Sequence, residues 1–291
     1  MKMGSRISKL TLAGAAFWSL AAHGACLDDA QVAAMVEAGA AGKPAVTPEG
    51  LSEADGACTR AKLHALMTKQ GAKVIGYKAG LTNPAVQKRF NYDKPVWGRL
   101  YEGMLLKSGS SVDAAFGARP LYEADLLVRV KSADINKATT PAQVMAAIDQ
   151  VIPFIELPDL VVQAPPKLNG PGIGAINVGA KLGVIGTPLP VPAADGERAA
   201  LLEGLRDMAV VLADAAGTEI ARGRGADVLD HPLNAVVWLA KALAAEGEAL
   251  QPGQVISVGS FSPLLPPKAG LKVTATYEGL PGVAPVTVSF K

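Results

Sequence analysis

The segment LYEADLLVRV (residues 121–130) has the composition of a buried β-strand, because leucine, valine and tyrosine surround its few charged residues. Alternate side chains of a strand project from opposite faces, so Glu123 and Asp125 lie on the same face. Two carboxylates in apolar surroundings repel each other and lose hydration unless a positive group compensates them. The segment therefore predicts a buried strand with an acidic site, whose positive partner has to be found.

A second acidic segment, VIPFIELPDL (residues 151–160), places Glu156 after another apolar run and Asp159 three residues later. Carboxylates in apolar segments, with no histidine near them in sequence, suit a hard cation such as Mg²⁺ or Mn²⁺, which prefers oxygen ligands. The alternative is that Arg119 or Arg129 pairs with the strand carboxylates and that Glu156 caps a turn. The spacing alone is compatible with both interpretations.

Residues 1–25 have the features of a signal peptide. Basic residues without any acid precede the apolar run LTLAGAAFWSLAA, which is short for a membrane span, and small residues allow cleavage after Gly24 or Ala25. The alternative is an uncleaved anchor. Cleavage removes three basic residues and no acidic ones, so it changes the formal charge from +2 to −1. We therefore expect a periplasmic or secreted protein with no nucleic-acid partner and, once the signal is cleaved, no membrane partner.

The chain has two cysteines, Cys26 and Cys58. In an oxidising compartment an isolated pair most simply forms one disulfide. The loop that such a bridge closes gives it roughly 3–4 kcal/mol of stabilisation by the chain-entropy relation. Neither a C-x-x-C motif nor a nearby histidine cluster accompanies the pair, so we expect a structural bridge rather than a metal site.

The hydrophobic periodicity changes near residue 73. Residues 26–72 show helical spacing of apolar residues, and a Ser-x-x-Asp sequence opens the second helix of this region. Residues 73–291 contain short strand-like segments between Gly/Pro turns, interrupted by two helices that start near Thr140 and Asp230. The pattern predicts an α+β protein, with a helical N-terminal region followed by a strand-rich domain.

Five segments resemble, in the same order, those of the 2-keto-4-pentenoate hydratases. They are GYKAGLTNPAVQKRF, DKPVWGRLYEGM, RPLYEADLLV, VIPFIELPD and GRGADVLDHPLNAVVWLAKAL. These enzymes and the related 4-oxalocrotonate decarboxylases belong to the fumarylacetoacetate hydrolase superfamily. The resemblance extends from about residue 74 to the C-terminus. It implies a mixed β-sandwich roll of the fumarylacetoacetate hydrolase type, usually assembled as a homo-oligomer.

The resemblance also implies roles for individual residues. The carboxylates that hold Mg²⁺ or Mn²⁺ in the family match Glu123, Asp125 and Glu156. The lysine that faces the active site matches Lys78, and we expect Asp159 to take part in catalysis with it. The expected contacts with the substrate are Asn177, Lys181 and Ser260.

Several positions near the expected pocket depart from the family pattern. Asp125 stands where the family usually has glutamate, which is one methylene longer. Ile176 and Gly179 replace polar residues of the loop around Asn177, and Lys181 occupies a position that is usually small. Lys181 could therefore be a new contact for the substrate carboxylate. These departures leave the identity of the substrate open.

The function implied by the resemblance is that of a metal-dependent, hydratase-like lyase. Such an enzyme adds water to a short unsaturated 2-oxo acid similar to 2-hydroxypenta-2,4-dienoate. One alternative is a 2-oxo-dioate decarboxylase of the same fold. The other is an exported, non-catalytic protein that binds small acids, because the dienol substrates of these relatives arise inside cells.

Overall fold

The computed structural model describes residues 25–291, so the first 24 residues of the predicted signal peptide lie outside the described part. Two helices open this part, α1 (Asp29–Ala40) and α2 (Glu53–Lys69). The side chains of Asp28 and Ser52 each accept a backbone N–H from the first turn of the helix that follows. The second helix therefore starts at the Ser-x-x-Asp sequence, as predicted.

The predicted disulfide between Cys26 and Cys58 is present. Cys58 lies on α2, so the bridge ties the chain in front of α1 to that helix. The backbone N–H of Leu27 also donates to the Thr59 hydroxyl at 3.0 Å, next to the bridge. The N-terminal helical pair is thus held by a covalent link as well as by packing.

The strands, in chain order, are β1 (Val74–Gly80), β2 (Val96–Tyr101), β3 (Leu105–Lys107), β4 (Ser111–Val112), β5 (Glu123–Val130), β6 (Ile148–Leu157), β7 (Leu182–Ile185), β8 (Leu189–Pro190), β9 (Ala209–Ala213), β10 (Glu219–Arg224), β11 (Val255–Ser257), β12 (Lys272–Glu278) and β13 (Val286–Phe290). The larger sheet has the order β2-β1-β11-β5-β6-β7-β3, with β8 beside β6. The smaller sheet has the order β10-β9-β12-β13-β4. Strand β5, predicted from the acidic segment, lies between β11 and β6 in the larger sheet.

The described part contains five further α-helices, namely α3 (Pro84–Arg89), α4 (Pro141–Ala147), α5 (Gly170–Ala175), α6 (Asp195–Asp207) and α7 (Pro232–Ala245). The sequence predicts α4 and α7 but not the other three. Helix α5 is rich in glycine and forms against α2, where a Cβ on Gly56 would lie only 2.6 Å from the Pro171 carbonyl oxygen. None of the helices in residues 25–291 combines the length and the apolar character that a membrane span requires.

Two of the three hydrophobic clusters among residues 25–291 lie next to the site-bearing strands. The first lies between the sheets and contains fully buried residues of both, including Val128, Ile155, Leu212, Val273 and Val288. The second packs the N-terminal helices against the segments around α3 and α5, and includes Met35, Leu63, Phe90, Leu160 and Ile173. The structure confirms the predicted α+β class. The ends of β1, β5 and β6 lie where the two clusters approach each other.

Candidate active site

The acidic residues of the two segments meet across neighbouring strands. Strands β5 and β6 are antiparallel and in register, so Glu123 lies directly opposite Glu156. Both residues are buried, with 7% and 2% of their surface exposed. Burial raises the pKa of Glu123 well above its ordinary value, and the negative charge of Glu156 raises that pKa further. Two carboxylates therefore share one buried site.

The positive partner of this pair is Lys78, which lies on β1 and is itself 2% exposed. Its Nζ contacts Oε1 of Glu156 and donates to the backbone carbonyl of Val178 at 3.0 Å. The other carboxylate oxygen of Glu156, Oε2, is buried and has no hydrogen-bond partner among residues 25–291. The ion pair therefore leaves one acceptor of the site free.

The two arginines considered from the sequence have other partners. Arg129 forms an ion pair with Asp149, with 2.8 Å between Nη2 and Oδ2. Arg119 donates from Nη2 to the carbonyl of Gln163 at 3.2 Å. Neither arginine therefore pairs with an acid of β5, and the ion pair of this site joins Lys78 to Glu156 on β6.

Asp125 is held by hydrogen bonds rather than directed at the glutamates. Its Oδ1 accepts the backbone N–H groups of Leu126 at 2.6 Å and Gly259 at 3.0 Å, and its Oδ2 accepts the hydroxyl of Ser257. The residue is completely buried, and this burial together with the charge of Glu156 raises the pKa of Asp125 to about 7. Asp125 thus fastens the loop after β11 to β5. Its role as a metal ligand stays a prediction.

A cavity of about 50 Å³ lies against the ion pair. Its polar lining consists of Lys78, Thr82, Glu123, Glu156 and Ser260, together with the helix-capping Asn83. The hydroxyl of Ser260 donates to the Ser262 carbonyl at 2.5 Å. The structure therefore brings four of the predicted site residues to one cavity: Lys78, Glu123, Glu156 and Ser260.

Thr82 is a residue of this cavity that the sequence reasoning missed. It is 2% exposed, and its hydroxyl has no hydrogen-bond partner within residues 25–291. A Cβ on Gly259 would lie only 2.1 Å from this hydroxyl, and Gly259 has a φ of +99°, so glycine is required there. The signal was present in the segment GYKAGLT, which ends at Thr82.

Two bulky residues of the lining have left-handed backbone conformations. Leu81 has a φ of 52°, and Val178 has a φ of 55° within a turn in which Asn177 and Gly179 are also left-handed. A β-branched residue in this region is strained by on the order of 1–3 kcal/mol. The strained turn directs the carbonyl of Val178 at Lys78, so it helps to fix the ammonium group.

Three other predicted site residues line a second cavity of about 390 Å³, bordered by α1 and α2: Asp159, Asn177 and Lys181. The turn around Val178 separates the two cavities, because Val178 lines the first while its neighbours line the second. Lys181 donates from Nζ to the carbonyl of Gly39 at 3.0 Å, so its charge is directed at α1. The structure does not bring these three residues together with Lys78.

Asp159 and Asn177 make hydrogen bonds to the backbone. Asp159 accepts the N–H groups of Ala118 at 3.1 Å and Arg119 at 2.7 Å. The amide of Asn177 accepts the N–H of Arg99 at 2.7 Å and donates to its carbonyl at 2.9 Å. These contacts position the segment before β5 and the turn beside β2. The expected roles in catalysis and substrate binding stay predictions.

The donor set beside the first cavity fits a hard divalent cation in its chemistry. Glu123 and Glu156 supply carboxylate oxygens, which such ions prefer, and Oε2 of Glu156 is buried without a partner. In residues 25–291 no three His, Cys, Asp or Glu side chains are already grouped as a metal site, and both oxygens of Asp125 accept hydrogen bonds instead. Glu123 and Glu156 are therefore the residues that would hold the ion.

No protein-family model matches the chain. Individual relatives do match over most of its length. The chain is 31% identical to the 2-hydroxyhexa-2,4-dienoate hydratase of Comamonas testosteroni over 222 residues, which cover 75% of this chain and 80% of the relative. It is 30% identical to the 4-oxalocrotonate decarboxylase of Pseudomonas putida over 218 residues, which cover 74% and 78% of the two chains.

A solved structure shows the same fold. The 4-oxalocrotonate decarboxylase from Pseudomonas putida G7, complexed with magnesium and adipate, superposes with a TM-score of 0.76 and 26% sequence identity. The match covers 92% of this chain and 100% of that one. The fold predicted from the resemblance is therefore confirmed, and the chain belongs to the family of the 2-keto-4-pentenoate hydratases and 4-oxalocrotonate decarboxylases.

Proposed function

We propose that the protein is a metal-dependent, hydratase-like lyase that adds water to a short unsaturated 2-oxo acid. The observation that carries the proposal is the buried pair of Glu123 and Glu156 beside Lys78, with one Glu156 oxygen unpartnered. The hydratase-named relatives support this reaction. The related decarboxylase complexed with magnesium supports a divalent cofactor, for which Mg²⁺ and Mn²⁺ are the candidates.

Glu123 and Glu156 would hold the divalent cation, which when bound would supply positive charge at the acid end of the substrate. The chain's own groups orient the molecule. Lys78 brings an ammonium group to the same cavity, where it can neutralise the substrate carboxylate or donate a proton. The unpartnered hydroxyl of Thr82 is placed to donate a hydrogen bond to a substrate oxygen.

The proposed reaction has two proton shifts and one addition. Ketonisation of a 2-hydroxy-2,4-dienoate moves the enol proton to C5 and leaves a C3–C4 double bond conjugated to the 2-oxo group. Water then forms a carbon–oxygen bond at C4, and the remaining proton goes to C3. The product is a 4-hydroxy-2-oxo acid, so the net change is the addition of one water molecule.

The second candidate is a 2-oxo-dioate decarboxylase. In that reaction the 2-oxo acid end of the substrate accepts the electron pair of the carbon–carbon bond that breaks. The decarboxylase relatives support it, at 30% sequence identity and with the same fold. An exported protein that binds small acids without turnover is the third reading. The three candidates differ in their products. The hydratase gives a hydrated acid, the decarboxylase releases carbon dioxide, and the binding protein forms no product.

We also propose that the protein acts in the periplasm or outside the cell. The Cys26–Cys58 disulfide supports an oxidising compartment, where such bridges persist. A thiol count on the unreduced protein tests this, because two free thiols in exported material would contradict it. The homo-oligomer implied by the family resemblance stays a prediction.

The function is tested with purified protein, Mg²⁺ or Mn²⁺, and 2-hydroxypenta-2,4-dienoate. We expect loss of dienol absorbance without release of carbon dioxide. Glu123→Gln should abolish both metal binding, measured by calorimetry, and turnover. Glu102→Gln is the matched control. The Glu102 side chain is 67% exposed and pairs with Lys73 rather than with a residue of the cavity. Unchanged metal binding in Glu123→Gln would refute the proposed metal site.

A further inference from the structure

The first cavity has charged residues on one side of its lining and apolar residues on the other. The strands of the larger sheet contribute the acids and Lys78, whereas helices α3 and α5 and adjoining segments contribute hydrocarbon. We refer to five of these residues as the apolar wall: Val86, Phe90, Leu160, Ile173 and Leu264. A small molecule bound by its acid end at the glutamates would have its remaining atoms against this wall.

The apolar wall is built into the second hydrophobic cluster. Phe90, Leu160 and Ile173 are buried members of that cluster, and Val86 packs against it. Leu264 is only partly buried and comes from the loop after β11. Because α1 and α2 support the same cluster, the four wall residues other than Leu264 form a packed surface.

The cavity offers no spare positive charge for a second carboxylate. Among the described residues that line it, Lys78 is the one cation, and its ammonium already contacts Glu156. Asn83 is the polar residue next to the wall, and its Oδ1 accepts the Ala85 N–H at the start of α3. A carboxylate against the wall would therefore be desolvated without a cation, whereas a methyl or vinyl end would bury apolar surface favourably.

The cavity is also small. Its volume of about 50 Å³ is well below the roughly 300–1,000 Å³ of typical ligand pockets. Phe90 and Ile173, both almost fully buried, limit its extension into the protein. A chain of a few carbon atoms is therefore the appropriate length.

We propose that the apolar wall determines specificity, so that the site accepts short 2-oxo monocarboxylates with an apolar end and rejects 2-oxo dicarboxylates. The inference rests on the proposed function, because it assumes that the acid end binds at Glu123 and Glu156. A wall with this specificity favours the hydratase reaction over the dioate decarboxylase reaction, and this preference follows from the lining of the cavity alone.

The test compares two stable acids of equal chain length, 2-oxopentanoate and 2-oxoglutarate, by calorimetry on the full protein in excess Mg²⁺. They differ only in whether the far end is a methyl group or a carboxylate. We expect 2-oxopentanoate to bind at least roughly tenfold more tightly, which corresponds to about 1.4 kcal/mol. Equal or tighter binding of 2-oxoglutarate overturns the inference but leaves the proposed function standing. Failure of both acids to bind overturns the proposed function and the inference with it.

A charge placed on the wall provides the second arm. Leu264→Lys puts a cation at a partly exposed position, and Leu264→Met is the matched control of similar length without charge. We expect Leu264→Lys to gain affinity for 2-oxoglutarate by tenfold or more, while Leu264→Met keeps the preference for 2-oxopentanoate. Val86→Lys, also at a partly exposed position, serves the same purpose if Leu264→Lys does not fold. Unchanged preferences in a folded lysine variant would show that the wall does not set specificity.

Discussion

Replacing Lys78 by methionine removes the positive charge of the buried ion pair while retaining most of the side-chain volume. Glu156 is then left in the interior with no cation beside it, and Glu123 lies directly opposite. The strands that carry these residues belong to the larger sheet, so the repulsion acts on the core of the fold. We expect a large loss of stability in the metal-free protein.

The magnitude follows from the burial of the pair. The side chains of Lys78 and Glu156 are 3% and 2% exposed. Removing one partner of such a buried pair destabilises a protein by about 3–5 kcal/mol, since an uncompensated charge remains in the interior. For a domain of this size, each kcal/mol lowers Tm by roughly 2–4 °C. Lys78→Met should therefore lower Tm by roughly 6–20 °C.

The assay is thermal unfolding at pH 8 in the presence of a chelator, followed by circular dichroism. Lys94→Met is the matched control, because Lys94 pairs with Glu53 at the surface, where both side chains are more than half exposed. Such a pair contributes less than about 1 kcal/mol. The double variant Lys78→Met/Glu156→Gln should recover part of the lost stability, because the lone charge is gone. If Lys78→Met unfolds at the wild-type temperature in chelator, the reasoning about the ion pair is wrong.

Four further outcomes are expected. Thr82→Val should leave the free energy of unfolding unchanged or raise it slightly, because it deletes a hydroxyl without a partner in residues 25–291. It should also lower kcat/KM, and unaltered kinetics would show that Thr82 does not contact the substrate. Gly259→Ala should perturb the cavity and lower activity, because its Cβ would lie 2.1 Å from the Thr82 hydroxyl; wild-type activity and stability would contradict this close approach. Burial raises the pKa of Asp125 from 3.8 to about 7, so the folded protein keeps a proton that the unfolded chain loses. The resulting stabilisation, on the order of 4 kcal/mol, is complete below about pH 4 and is lost as pH rises to about 7 in metal-free protein. Urea unfolding across this range should show the decline, and Asp125→Asn should make it shallower, with the remainder due to Glu123, whose pKa is also raised. Replacing Cys26 and Cys58 by serine should lower the free energy of unfolding by roughly 3–4 kcal/mol in urea, and a value near zero would show that the bridge adds no stability.

The sequence predicts the strands that carry the site because their patterns are local. The apolar run and alternating acids of residues 121–130 identify β5, and the run before Glu156 identifies β6. The same reasoning fails for α5, whose sequence GPGIGA has low helix propensity. That helix is stabilised by packing against α2, which no local pattern reveals.

The site was only partly predictable for a related reason. Glu123 and Glu156 meet because β5 and β6 pair in a particular register, and apolar acidic segments suggest such a pairing. Two of the three hydrogen-bond partners of Asp125 lie 132 and 134 residues further along the chain, at the end of β11 and in the loop after it, and no local pattern reveals them. The side chains of Asp159 and Asn177, which are predicted site residues, hydrogen-bond backbone segments, and their roles at the site stay predictions. A polar residue in the sequence can line the site or hold a backbone segment, and the sequence pattern does not distinguish these two roles.

The second acceptor that contacts the ammonium of Lys78, besides Glu156, is the main-chain oxygen of Val178. Exchange of one side chain for another cannot delete a main-chain oxygen, so the turn protects this half of the pocket from most point mutations. Val86 and Leu264 have no such constraint, since both are partly exposed and neither contacts the ammonium. New substrates can therefore be acquired by altering the hydrocarbon half while the charged half stays constant.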